Sequence, residues 1–95
     1  MQVTERLAAL VARLYKESEG YADNPADAQL WYNRGYANGV AAFLYARGEH
    51  GALKDIDMDN LEQYRNERIM AWHKAYHHGF SMGEREAGEV YPSGD

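Results

Sequence analysis

Ninety-five residues, 45% of them apolar and 26% charged, make a chain the size of one domain with a globular rather than disordered composition. With no cysteine there is no disulfide framework and no thiolate metal site, and no run approaches the ~18 apolar residues of a membrane span, so a non-membrane, cytoplasmic protein is expected. Fifteen acidic against ten basic side chains give a net charge of −5, which repels phosphate backbones; direct nucleic-acid binding is not expected, and a partner steered by charge should be basic.

The elements follow in order. Leu7, Leu10, Val11 and Leu14 recur at i, i+3, i+4 and i+7, which predicts an amphipathic helix over about 3–17 with Thr4 near its cap. Asn24-Pro25 supplies a cap and a first-turn proline for a second helix over about 25–47, stopped at Gly48. The stretch 49–58 reads as an acidic connection. Asp59-Asn60-Leu61-Glu62 resembles a capping box and opens a third helix over about 59–86, with Gly88 and Pro92 ending it and 91–95 forming a flexible tail. The whole is one all-α, three-helix domain spanning 1–95.

Two stretches 44 residues apart share a pattern. Tyr32-Asn33-Arg34-Gly35-Tyr36-Ala37-Asn38-Gly39 and Tyr76-His77-His78-Gly79-Phe80-Ser81-Met82-Gly83 both read Tyr-x-x-Gly-aromatic-x-x-Gly. Each glycine inside a helix costs about 0.8–1 kcal/mol relative to alanine, so the four together give up roughly 3–4 kcal/mol. Close packing is the expected compensation: Gly35 with Gly39, and Gly79 with Gly83, open grooves on one helix face for an aromatic residue of the other repeat, in a pseudo-two-fold crossing. The alternative is that the glycines admit a ligand or a target peptide, or mark helix breaks.

Arg34-Gly35-Tyr36-Ala37-Asn38-Gly39-Val40-Ala41 resembles the Arg-Gly-Tyr-x-x-Gly-Ile-Ala helix of the ribosome modulation factor family, and Trp72 with Gly79-Phe80 is more loosely similar to that family's second tryptophan-glycine-aromatic helix. The resemblance covers about a third of the chain. It implies a two-helix unit related to a small basic protein that binds ribosomal RNA and promotes ribosome dimerisation. The family's Cys-Pro-Tyr element is absent here, the link between the helices is longer, and the sign of the charge is reversed.

His73 and His77, four apart on a helix, form the one recognisable candidate metal pair, with His78, His50 or Glu84 as further donors. Lys74 stands where a metalloprotease of the His-Glu-x-x-His type has its glutamate. No catalytic triad, cysteine nucleophile, phosphate loop or dinucleotide fingerprint is present, so neither catalysis nor a cofactor is expected. Of the twelve aromatic residues, eight are tyrosine. Trp31, Tyr45, Tyr64 and Trp72, with the acidic Asp55, Asp57 and Asp59, are the candidate protein-interface residues. The leading expectation is a protein-binding module, an adaptor or an inhibitor of phage or mobile-element type, acting as a homodimer. A ribosome-associated factor and a metal-binding protein are the alternatives.

Overall fold

The computed structural model describes residues 3–61 and 71–91. Within them lie three α-helices, α1 (Val3–Glu17), α2 (Ala28–Ala46) and α3 (Ala71–Val90), with 3-10 turns at Tyr21–Asp23 and His50–Leu53 and no strand. The two long helices, α2 and α3, form the central pair, and α1 packs on α2. The domain is all-α, as its periodicity predicts.

α1 starts at Val3, so Thr4 sits in its first turn rather than at its cap. Its buried stripe is Leu7, Val11 and Tyr15, with Leu10 and Leu14 flanking it. α2 starts three residues later than the proline signal predicts. Asn24 is occupied by the preceding turn: its amide donates to the Gly20 carbonyl at 2.8 Å, and its own carbonyl accepts from the Trp31 indole at 3.2 Å. Asp27 caps the helix instead, accepting from the Leu30 N–H at 3.3 Å. At the other end Gly48 takes φ +76°, Glu49 N–H reaches the Leu44 carbonyl and Gly48 N–H the Tyr45 carbonyl, which is a Schellman termination.

The acidic connection is more than a solvated loop. Leu53 is buried in the main core, Ile56 and Met58 pack against it, and the His50 ring stacks on Tyr45 at 4.7 Å. α3 continues past Glu86 through Gly88, where the Phe43 ring lies across the helix. Tyr91, expected in the tail, is held: its N–H bonds the Ala87 carbonyl at 2.9 Å and its ring meets Phe43 edge-on at 5.4 Å. Residues 59–61, expected to open the third helix, are not helical, because the Asp59 side chain is turned onto Arg34; the expected continuation through Glu62, Tyr64 and Ile69, and the tail from Pro92 onward, lie outside the described residues.

The duplicated motif is the seam of the central pair. An ideal Cβ on Gly35 would stand 2.0 Å from the Tyr76 carbonyl oxygen, and one on Gly39 2.1 Å from that of Phe80. The second repeat returns the contact: a Cβ on Gly79 would lie 2.2 Å from the Tyr32 oxygen and one on Gly83 2.1 Å from the Tyr36 oxygen. Equivalent positions trade places, which is the expected pseudo-two-fold. What fills each groove is the aromatic residue's backbone carbonyl rather than its ring, an approach suited to Cα–H···O contacts. Contacts climb both helices in the same direction, from Trp31 with Trp72 to Phe43 with Tyr91, so α2 and α3 run parallel. A parallel pair obliges the intervening chain to travel back the length of α2, about 28 Å for its 19 residues.

Alanine at Gly39 or Gly83 should therefore destabilise the fold by about 3 kcal/mol or more, at the upper end of overpacking penalties because the obstacle is backbone. For a domain of this size that lowers the melting temperature by roughly 12–24 °C. Gly51, with open space around it, is the control, and Gly51→Ala should change stability by less than about 0.5 kcal/mol. Thermal melts followed by circular dichroism check both; a Gly39→Ala or Gly83→Ala protein melting at or above the parent temperature would refute the close crossing.

Candidate functional site

Where α1, α2 and the connection meet, the interior holds a polar cluster built around Arg34, which is 7% exposed. Its Nε donates to Ser18 Oγ at 2.8 Å, one terminal nitrogen donates to both Asp59 carboxylate oxygens at 3.2 Å, and the other reaches the Tyr15 and Ser18 carbonyls at 3.1 and 3.5 Å. These five bonds use the guanidinium's full set of donors. The ion sits 3.9 Å from the Tyr15 ring centre and 4.6 Å from that of Tyr21, so two aromatic faces share the solvation of its charge.

Asn38, one turn along α2, is equally committed. Its amide nitrogen donates to Asp59 Oδ2 at 3.0 Å and to the Tyr76 hydroxyl at 2.7 Å, while its oxygen accepts from the Tyr15 hydroxyl. Tyr21 donates to Asp59 Oδ2 at 3.2 Å, and the Asp59 N–H donates to Tyr15 Oη at 3.1 Å. Thus Asp59, far from serving the solvent side of the connection, is the clasp that fastens the connection to α1 and α2. The cluster also bridges two apolar cores, since Tyr15 belongs to the one around Leu44 and Val11, and Tyr21 and Tyr76 to the one around Trp31. Burial pushes the Tyr15 phenol well above the ordinary tyrosine range, against the Asp59 N–H, whose hydrogen bond favours the phenolate.

The interface candidates divide. Asp55 and Asp57 are exposed, and Tyr45 and Trp72 partly so. Trp31, at 3% exposed, is core: its ring lies 4.3 Å from Trp72 and 4.8 Å from Tyr21. Asp59 is turned inward onto Arg34 and does not join Asp55 and Asp57 in an acidic patch. Tyr64 lies outside the described residues. His73 is wholly buried and His77 partly exposed, their rings 4.2 Å apart and nearly perpendicular. Among the described residues no group of three His, Cys, Asp or Glu side chains is placed to hold a metal ion. No helix among them is long and apolar enough to cross a membrane.

Sequence reasoning did not single out the cluster. The available signal was that Arg34 and Asn38 stand four apart on a helix whose only other polar side chains besides tyrosine and tryptophan are Gln29 and Asn33, and that Tyr15 continues the Leu7–Val11 stripe. On the far side of the pair, Tyr36 donates to Glu86 Oε1, and its phenol too is raised, first by burial and then by that carboxylate. Comparison with family models, with curated proteins and with solved structures finds no match.

Arg34→Met leaves the Asp59 charge uncompensated and should cost about 3–5 kcal/mol in denaturant unfolding, whereas Arg34→Met with Asp59→Leu should cost clearly less than the sum of the single changes. A loss under about 1 kcal/mol for Arg34→Met would refute the clasp. Tyr15 and Tyr36 hold their protons more tightly folded than unfolded, so the stability they contribute is complete below the ordinary tyrosine value of about 10 and declines as pH rises above it. Phenolate absorbance in an alkaline titration should show the last tyrosines ionising together with unfolding; complete ionisation of a still-folded protein near pH 10 would contradict it.

Proposed function

We propose that this chain is a small acidic helical binding module, an adaptor or inhibitor, whose partner is a protein with a basic surface. The observation that carries the reading is how the cations are used. Arg34 is consumed inside by Asp59, the exposed Arg13 and Arg85 stand beside Glu17 and Glu89 one helical turn on, and Arg6, Lys16, Arg47, Lys54 and Lys74 are the other exposed cations of the described residues. The acidic surplus is left outside, with Asp23 and Asp27 before α2 and Asp55 and Asp57 on the connection, all exposed. Such a surface attracts basic proteins and repels phosphate backbones. A phage or mobile-element inhibitor that occupies the basic groove of a host nucleic-acid-binding complex is the setting this chemistry suits.

A second reading, a ribosome-associated factor similar to ribosome modulation factor, draws on one specific observation: the two blocks that carry that resemblance pack against each other as a unit. In that reading the shared feature is the helix pair, because Arg34, Gly35 and Gly39 all face inward.

Affinity purification from the native host identifies the partner, and salt then separates the readings. Binding to a basic protein should weaken as ionic strength rises past about 0.1 M, where charges are screened beyond ~10 Å, and Asp55→Lys with Asp57→Lys should weaken it further. Asp59 is left alone, since reversing it breaks the Arg34 pair. Salt-insensitive capture, or recovery with ribosomal particles alone, would count against the first reading.

A further inference from the structure

The pseudo-two-fold gives the helix pair two equivalent faces, and the described residues cover one of them. On that face Tyr76 bonds Asn38 and packs with Trp31, beneath the turn at Tyr21–Asp23. On the opposite face lie Tyr32, the counterpart of Tyr76, and Tyr36, the counterpart of Phe80; both are partly exposed, with ring centres 6.2 Å apart, and Tyr36 packs in part against the main core. His78 extends the face, 5.6 Å from Tyr32, and Glu86 holds the Tyr36 hydroxyl through Oε1. The other oxygen, Oε2, accepts no hydrogen bond from the described residues.

The fold already contains two guanidinium groups laid on pairs of rings, one of them with a carboxylate counterion. Arg34 lies against Tyr15 and Tyr21 with Asp59 as its counterion, and Arg47 lies 4.6 Å from the Phe43 ring centre and 5.7 Å from that of Tyr91. Tyr32 and Tyr36 have the Glu86 carboxylate beside them, and no arginine or lysine of the described residues lies over their rings. A guanidinium stacks on tyrosine and pairs with a carboxylate in one placement, which an ammonium matches poorly.

We propose that the face formed by Tyr32, Tyr36 and Glu86 is the docking surface of this module and receives an arginine side chain from the basic partner. Its occupant is an arginine-bearing protein segment, selected by charge complementarity to Glu86 and by the two ring faces. The proposal rests on the protein-binding reading and assigns its surface.

The experiment titrates the full 15N-labelled chain with a nona-arginine peptide and, separately, with nona-lysine and with a single-stranded RNA oligonucleotide. Shifts should centre on Tyr32, Tyr36 and Glu86, and arginine should bind at least about 5-fold more tightly than lysine. Glu86→Gln, which keeps an acceptor for Tyr36, and Tyr32→Leu, which keeps the apolar cover, should each weaken nona-arginine about 5–10-fold at unchanged melting temperature. If either variant fails to fold, the shift map on the parent chain decides. Shifts centred on Asp55 and Asp57, with equal binding of arginine and lysine, would overturn the assigned face and leave the protein-binding reading standing. No binding of either peptide would overturn both, and binding of the RNA at this face in place of the peptides would overturn the choice of partner.

Discussion

Four carbonyl oxygens stand where four side chains would be, and the rest of the molecule is arranged around that fact. Tyr76 and Phe80 present theirs to Gly35 and Gly39, and Tyr32 and Tyr36 to Gly79 and Gly83. Helices this close exclude side chains from the seam, so dispersion between backbones must offset the conformational cost of four helical glycines. Because the pair is parallel, the chain has to double back between them, and the long connection follows from the seam. The same geometry places aromatic rings on both faces of the pair, Tyr76 buried on one and Tyr32 and Tyr36 partly exposed on the other.

The seam sets how near the helices come; the polar cluster sets what covers them. Arg34 and Asp59 each lose water, a cost that Coulomb attraction repays only when every remaining donor and acceptor is met. Here the guanidinium is fully bonded and the carboxylate takes bonds from Arg34, Asn38 and Tyr21. An apolar contact would hold the connection against α1 and α2 in many registers, whereas this one accepts a single placement of Asp59. Leu53, buried a few residues earlier, supplies the apolar part of the same attachment.

Much of this was legible as pattern. The i, i+4 glycines with flanking aromatic residues pointed to a close approach, and a 44-residue duplication to two such surfaces meeting; periodicity placed α1, and Gly48 marked the end of α2. What was not legible depended on partners distant in sequence. Asp59 reads locally as a cap because its neighbours Asn60-Leu61-Glu62 have that form, yet its partners are 21, 25 and 38 residues away in Asn38, Arg34 and Tyr21. Trp31 reads as an interface residue because aromatic surplus suggests one, and only the fold reveals the pocket formed by Tyr21, Trp72 and Tyr76. Asn24 lost the helix start to Asp27 because its own groups had closed the preceding turn. The residues that resemble ribosome modulation factor proved to be the ones that build the seam and the cluster, so the solvent-facing residues are left to define what the protein meets.

α2 and α3 interlock, parallel and reciprocal, through their glycines. Interproton contacts measured by NMR on the intact chain test this interlock most directly. Cross-peaks are expected from the Gly35 α-protons to the Tyr76 α-proton and from the Gly83 α-protons to the Tyr36 α-proton, since a Cβ at those glycines would lie 3.0 and 3.1 Å from the partner Cα atoms. Absence of both, with the two repeats showing only contacts within their own helices, would contradict it.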